Sequence, residues 1–410
     1  MAAILVLGLL IRLPFAPIDF RASNDLDVYK HWGRTAHATG LLTLYERTSA
    51  NYPPLLLYWF SGAAAIEAHI APESGDKVLT ALIKLPSMLA DVLTAALIAS
   101  MVRGGRPGRR LFICGLYTFN PAIWYVSTYW GQTDSVYTLF LVACVIALSR
   151  RAILSAWALY VLALGTKIQS VALAPLLISA TGARSGVYAL ARGFAIAAIT
   201  GAIIAGPWLL SGRIGEVVQS SLTTPNTAPR LDVSGYNLWY LVRLGRVHNF
   251  SSTHHPASLP FSYQTLSLIL FGVCVAFIAL LTWRQRARSL ALPAALLCIS
   301  LFMLLTEVHE RHLFPALALL LLTVARQPDL NALLERRSLW RAYGLLSLTF
   351  LFNLVTVAPF TPLLGTNLIA APIDSPGVLM LKALSVLVAA VNLILFAWLI
   401  KVYAQDARHA

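Results

Sequence analysis

The sequence predicts an all-α, polytopic transmembrane helical protein, and three observations predict it. Hydrophobic residues make up 58% of the 410 residues, whereas charged residues make up only 12%, about half of what soluble domains carry. Mean hydropathy is +0.72. The apolar residues gather into runs near the ~20 residues a helix needs to cross a bilayer, and they do not alternate as barrel strands do.

The elements follow in order. Met1–Leu10 has the apolar character of a signal-peptide core, but no basic residue precedes it. Arg12 and Pro14 end it without a small-x-small cleavage site, so it reads as a retained first span. Further runs fall at Leu79–Val102, Leu111–Tyr125, Val136–Leu148, Ile153–Leu164, Ser170–Ile178, Gly193–Leu210, Tyr263–Trp283, Leu290–Leu305, Leu313–Val324, Tyr343–Val357 and Val378–Val402. Roughly a dozen crossings are expected, some of them half-helices buried in protein.

Leu55–Ile70 is apolar but holds Glu67 and follows Tyr52-Pro53-Pro54. If it crossed, the cluster Arg103–Arg110 would be forced outside, so a re-entrant or interfacial helix anchored by Tyr58 and Trp59 is expected. With the segment Asp25–His31 it forms a long first external loop, residues 17–78, carrying amphipathic or re-entrant helices. A loop of that length points to function.

The net charge of +14 arises from arginines in short clusters between apolar runs. They lack the interleaved aromatics and Gly-rich segments of a nucleic-acid surface, so no nucleic-acid partner is expected. Topology accounts for them: with Asp25 outside, Arg103–Arg110, Arg150-Arg151, Arg184, Arg284–Arg288 and Arg326–Arg341 all fall in the cytoplasm. The same parity places Tyr129–Asp134, Lys167–Gln169, a second large external loop at residues 211–262, and Glu307–His312 outside. Within that second loop Tyr236-Asn237-Leu238-Trp239-Tyr240 is amphipathic enough to lie on the membrane. Cys114, Cys144, Cys274 and Cys298 sit in separate apolar runs with no Cys-x-x-Cys spacing and read as plain buried side chains. There is no repeat and no soluble domain, so residues 1–410 form a single integral membrane domain.

The charged side chains of the external face carry the chemistry. Asp25 and Asp27 are two apart and point to different sides of a helix, and Asp25 serves either as a helix cap or as a base facing a lipid-linked donor. Glu307-Val308-His309-Glu310-Arg311-His312 packs more ionisable groups than a short loop needs for solubility. Arg311 offers a planar fork to phosphate, and His309 a switchable donor. The spacing of His309 and His312 is wrong for a helical metal-binding pair, so no metal is expected. Lys84 and Asp91 fall inside an apolar run, where charge is expensive, and read equally as structural or substrate-binding. Gln132, Asp134, Lys167 and Gln169 add polar groups on the same face or anchor at the interface.

In order along the chain, these residues resemble the C-type glycosyltransferase superfamily. Within it they are similar to the dolichyl-phosphate-glucose-dependent glucosyltransferases of N-glycan assembly and to bacterial polyprenyl-phosphate-sugar relatives. The family's first-loop motif is similar to Asp25-Leu-Asp-Val-Tyr-Lys-His-Trp32, with Asp25 at the catalytic-base position and Asp27, Lys30, His31 and Trp32 around it. Tyr52-Pro-Pro-Leu55, Lys84 with Ala90-Asp91, Asn120-Pro121-Ala122, Lys167-Ile-Gln169 and Val308-His-Glu-Arg311 match further family elements. Lys30 and Arg311 each exchange one cation for another relative to the family, which leaves the sugar open.

The resemblance implies transfer of a monosaccharide, mannose or glucose, from a dolichyl- or undecaprenyl-phosphate carrier to a glycan or lipid-linked acceptor, with inversion. Asp25 would be the general base, and His309, Arg311, Lys84 and Lys167 would bind the donor phosphate; Tyr52, Asp91, Gln132, Asp134, Gln169 and Glu310 would support them. Protein cations would cover the phosphate, so no metal and no cofactor is expected. The expected setting is the plasma (inner) membrane or the endoplasmic reticulum, with the site facing outside or the lumen. A secondary transporter or lipid flippase is the alternative, since these also use broken helices and intramembrane charge; a non-catalytic membrane subunit is a third.

Overall fold

The computed structural model describes residues 1–21, 23–102, 107–222, 229–244, 251–256, 260–326, 333–357 and 376–408. Among them every regular element is helical. The first half runs α1 (Ala2–Leu10), α2 (Asp25–Thr39), α3 (Leu44–Arg47), α4 (Pro54–Ile70), α5 (Lys77–Ser100), α6 (Pro107–Thr118), α7 (Pro121–Trp124), α8 (Asp134–Ser149) and α9 (Ile153–Thr166). Then come α10 (Ala174–Ile204), α11 (Gly206–Leu210), α12 (Ile214–Leu222), α13 (Leu238–Arg243), α14 (Tyr263–Arg284), α15 (Ala291–Leu304), α16 (Phe314–Arg326), α17 (Leu333–Val357) and α18 (Pro376–Arg408). They group into two units: Met1–Leu177 with Ser185–Asn226, and Ile178–Arg184 with Thr227–Ala410. Residues 103–106 of the first basic cluster lie outside the described residues. So do residues 327–332 of the last cluster and 223–228, 245–250 and 257–259 of the segment 211–262 expected as a second external loop.

Five stretches are long and apolar enough to cross a membrane: Lys77–Ser100, Ile168–Ile204, Tyr263–Arg284, Ser338–Val357 and Pro376–Asp406. The chain is therefore a helical membrane protein, with fewer full-length spans among the described residues than the dozen apolar runs led us to expect. The runs are cut short for local reasons. Leu111–Tyr125 is broken where α6 gives way to Asn120-Pro121, and the Asn120 side chain accepts the Ala122 N–H at 2.9 Å to start α7. α15 and α16 have 14 and 13 residues. At ~1.5 Å per residue neither reaches the ~30 Å of a hydrocarbon core. Both are buried on nearly every side within the second unit, as apolar helices without a polar face are.

Ser170–Ile178 and Gly193–Leu210, expected as separate crossings, join in one apolar stretch, Ile168–Ile204. It is interrupted at Gly186, whose φ of 77° and ψ of −175° no helix contains. A left-handed φ is open to glycine, whereas a residue with a Cβ resists it by ~1 kcal/mol or more.

In the first unit the core forms where α2 lies on α4. α2 opens with Asp25 and Asp27, which complement the positive end of its dipole, and ends at Gly40. Its buried Leu26, Tyr29, Trp32 and Ala36 recur at helical spacing and meet Leu56, Phe60 and Ala64 of α4. α4 is the segment expected to be re-entrant or interfacial. Pro54 starts it, the Tyr58 hydroxyl donates to Ile204 O at 2.8 Å, and Trp59 Nε1 donates to Leu82 O at 2.8 Å.

Residues 236–240, expected to lie on the membrane surface, are instead inside the second unit. The side chains of Tyr236, Trp239 and Tyr240 are at most 2% exposed. Each polar tip has a partner: Tyr236 with Thr356, Tyr240 with Ser385, and Trp239 Nε1 with Leu304 O. A buried tyrosine or tryptophan needs such a partner, and these bonds tie α13 to α15, α17 and α18.

Arg12 ends the first apolar run of the sequence. It is fully buried, its Nη1 donating to Gly8 O and its Nη2 to Thr118 O, both at 2.7 Å. Its Nε lies 3.7 Å from Asp91 Oδ2, whose side chain is also 0% exposed. One guanidinium thus fastens α1 to α5 and α6. Removing one member of such a pair strands the other charge and costs about 3–5 kcal/mol, whereas replacing both with apolar groups is far milder. Arg12→Leu is therefore expected to lower the unfolding temperature sharply in detergent, followed by tryptophan fluorescence, and Arg12→Leu with Asp91→Leu to recover most of the loss. A single variant as stable as wild type would contradict this role.

Candidate active site

α2 begins where the most charged part of residues 17–78 begins. Asn24 occupies the cap position, which leaves Asp25 as the first helical residue with its carboxylate turned to side-chain donors. Gln132 Nε2 donates to Asp25 Oδ2 at 2.5 Å, and Trp130 Nε1 lies 3.2 Å from the same oxygen. Ser23 Oγ donates to it as well and accepts from Trp130 Nε1 at 2.7 Å. Three donors from two distant stretches of chain thus converge on one carboxylate oxygen.

The polar run continues inward. The Tyr29 hydroxyl donates to Gln132 Oε1 at 3.0 Å, so its own oxygen is left to accept, and the Tyr52 hydroxyl at 2.7 Å is the donor to it. Every proton in the series Tyr52, Tyr29, Gln132 therefore points toward Asp25. Aromatic packing fixes the tyrosines: Tyr29 stacks on Phe60 with centroids 5.1 Å apart, and Trp32 meets Tyr52 edge-on at 5.4 Å.

Tyr52 also forms one wall of a cavity of about 200 Å³ whose other walls include Asn51, Lys167, Gln169 and Ser221. The Lys167 ammonium lies over the Tyr52 ring at 5.4 Å and pairs with Asp134 Oδ2 at 2.9 Å. Asp134 is buried at the first residue of α8, where a carboxylate also complements the helix dipole.

Local backbone sets this arrangement. Tyr125–Trp130 forms a π-helical turn, and Gly131 closes it with φ 81°. A Cβ at Gly131 would sit 2.7 Å from Leu26 Cδ2 and 3.0 Å from Lys84 Cε, so both conformation and space require glycine there. Lys84 holds the same turn: its ammonium donates to Thr128 O at 2.9 Å, to Ile18 O at 2.6 Å and to Phe15 O at 3.5 Å.

The remaining candidates separate from this run. Asp27 turns away from Asp25, as its spacing requires, and pairs with Lys30 at 3.0 Å. Lys30 also meets Asp19 at 3.0 Å and Asp76 at 3.4 Å. Arg34 forks onto Glu67 at 3.1 and 2.7 Å and reaches Asp76 at 2.5 Å. His31 is exposed, and Asp91 faces Arg12. In the second unit, Glu310 is buried, accepts from Ser234 Oγ and lies 3.5 Å from Arg311 Nη1. The rings of His309 and His312 meet edge-on at 5.8 Å. A second buried pair there, Asp232 with Arg243 at 2.8 Å, escaped the sequence reading. Burial pushes the Asp232 carboxyl up to about 6, against the pull of Arg243 and Arg230.

Ser23 and Tyr29 lie in the charged and aromatic segment Ser23–Trp32 and Trp130 in the polar stretch Tyr129–Asp134, but none of them was assigned a role of its own from sequence, and Arg34 lies outside both stretches. For Tyr29 the signal was present, because it lies one helical turn after Asp25 and so shares its face. No protein-family model matches the chain, and no curated protein matches it.

The ion-pair cluster carries a pH dependence. Hydrogen bonding from Arg34 holds the Asp76 carboxyl below its ordinary 3.8, outweighing burial. For Lys30, burial works against the charge, and the hydrogen bonds to Asp27 and Asp19 outweigh it, raising the ammonium above 10.5. A lowered carboxylate stabilises the fold above its unfolded value and loses that contribution as pH falls through the folded one. The raised ammonium contributes below 10.5 and is lost as pH climbs past its folded value. Unfolding temperature is therefore expected to fall as pH drops below 3.8. Asp76→Asn should flatten part of that acid limb; an unchanged limb would refute the assignment.

Proposed function

We propose that the chain is a C-type membrane glycosyltransferase moving a monosaccharide, mannose or glucose, from a polyprenyl-phosphate carrier to an acceptor hydroxyl. The observation that supports this reading is the run from Asp25 through Gln132 and Tyr29 to Tyr52, which joins a partly exposed carboxylate to a cavity walled by Lys167 and Gln169. The motif positions behind the family resemblance at Asp25, Tyr52, Lys167 and Gln169 all belong to that one assembly.

In this reading Asp25 takes the acceptor proton as the acceptor oxygen attacks the anomeric carbon. The bond from that carbon to the phosphate oxygen breaks, and the polyprenyl phosphate leaves with its electron pair. One base and no second nucleophile give inversion. Gln132, Trp130 and Ser23 hold the orientation of the carboxylate, and Lys167 supplies fixed positive charge beside the cavity. The reaction needs no metal and takes place on the outer or luminal face of the plasma or endoplasmic-reticulum membrane.

The test incubates membranes holding the protein with radiolabelled polyprenyl-phosphate mannose and glucose and follows label into acceptor. Asp25→Asn keeps shape but cannot accept a proton, so transfer is expected to fall by about 10²–10⁴ while donor binding persists. Tyr29→Phe removes one bond of the series and should cost no more than about tenfold. Near wild-type turnover by Asp25→Asn would sink the base assignment. A secondary transporter or flippase is the second reading, favoured by the break at Gly186 and the buried Arg12–Asp91 pair. It is distinguished by label crossing a sealed vesicle unchanged, with none entering acceptor.

A further inference from the structure

Within the first unit a cavity of about 340 Å³ opens between the start of α9 and the part of α10 that follows Gly186. Its walls include Arg151, Ile153, Leu154, Ser155, Ala189 and Arg192. That volume lies in the range of small-ligand sites. The two elements are brought together at Gly193, where a Cβ would sit 2.5 Å from the Trp157 ring, and the adjacent Phe194 ring meets Trp157 at 4.7 Å.

The lining contains two arginines and no carboxylate. Among the described residues neither guanidinium is in an ion pair, and Arg192 lies 5.9 Å over the Tyr188 ring. The first turn of α9 adds backbone N–H groups that have no acceptor within the helix, so the positive end of its dipole faces the same space.

Arg151 stands at an unusual place for its type. The N–H of Ala152 reaches Ala147 O at 2.9 Å and the N–H of Arg151 reaches Leu148 O at 3.2 Å, which closes α8 in a Schellman turn. Arg151 takes the left-handed position of that turn, φ 60°, where glycine is the favoured residue.

Apart from Ser155 the other wall side chains, Ala152, Ile153, Leu154 and Ala189, are apolar, and Val187 and Tyr188 beside them are 82% and 74% exposed. Exposed aromatic and aliphatic side chains next to unpaired arginines fit the headgroup layer of a bilayer, where a phosphate and the start of an acyl chain lie together. The basic clusters place this end of α8 and α9 on the cytoplasmic face, away from Asp25. We propose that the cavity binds the phosphate of an anionic phospholipid headgroup, with Arg151 and Arg192 as its ligands.

The full chain, purified in detergent and delipidated, is titrated with dioctanoyl-phosphatidylglycerol, dioctanoyl-phosphatidylcholine and glycerol 3-phosphate, with binding read by native mass spectrometry. One phosphatidylglycerol is expected to bind at least tenfold more tightly than phosphatidylcholine. R151Q/R192Q should weaken it at least tenfold, and so should Ala189→Leu, which fills the cavity without changing charge and serves if the double variant fails to fold. R110Q/R150Q removes two exposed arginines that do not line the cavity and should leave binding intact. Equal loss in both double variants would reduce the effect to net charge and overturn the site. So would binding that survives both R151Q/R192Q and Ala189→Leu. Glycerol 3-phosphate binding as tightly as the lipid would overturn the phospholipid assignment in favour of a soluble phosphate.

Discussion

Gln132 donates through its amide nitrogen to Asp25 and accepts through its amide oxygen from Tyr29, and a side chain that does both cannot turn over without losing both. Around it the first unit's polar run is ordered in one direction, its protons pointing from Tyr52 toward Asp25. The position of that amide is set by the π-helical turn before it and by Gly131, whose left-handed φ and close neighbours favour glycine. Lys84 holds the turn by the carbonyl of Thr128, and α2 packs its Leu26 against the glycine. The orientation of Asp25 is thus the end result of backbone geometry more than a hundred residues away in sequence.

An apolar helical body leaves few ways to bury charge, because a polar group without a partner costs several kcal/mol in such surroundings. Three solutions appear within the first unit. Arg12 and Lys84 spend their donors on backbone carbonyls at helix ends and irregular turns, where such oxygens lack partners. Lys167 and Asp134 satisfy each other beside a cavity. Lys30 and Arg34 collect carboxylates from four segments: Asp19 before α2, Asp27 within it, Glu67 of α4 and Asp76 just before α5. In each case a long cationic side chain fixes the register of apolar helices that dispersion forces alone would let slide.

Composition and run length were enough to read an all-helical membrane protein, and ordered motifs marked Asp25, Tyr52, Gln132 and Lys167, whose side chains lie along one run of contacts in the first unit. What was not legible was where each charge is satisfied. Periodicity marks which residues of a run face inward, but it cannot reveal that Thr128 presents a carbonyl to Lys84, since that depends on a change of helical type. The same limit explains residues 236–240. An amphipathic pattern of aromatics reads identically whether the apolar side meets lipid or protein, and only the hydroxyls of Thr356 and Ser385 decide between them. Arg12 followed an apolar run and so looked like its terminator, although its length lets it fold back along the helix it ends.

The π-helical turn has a consequence for how this protein can vary. Such a turn accommodates one residue more than an α-helix would over the same rise. A residue lost within Tyr125–Trp130 would let the turn rewind as ordinary helix, with the flanking segments close to their present phase. Gln132 and Trp130 would then stay near Asp25, and the loss would fall on the carbonyl of Thr128, which the widened turn now presents to Lys84. The turn therefore matters more for where it aims a backbone oxygen than for the phase of the side chains that follow it.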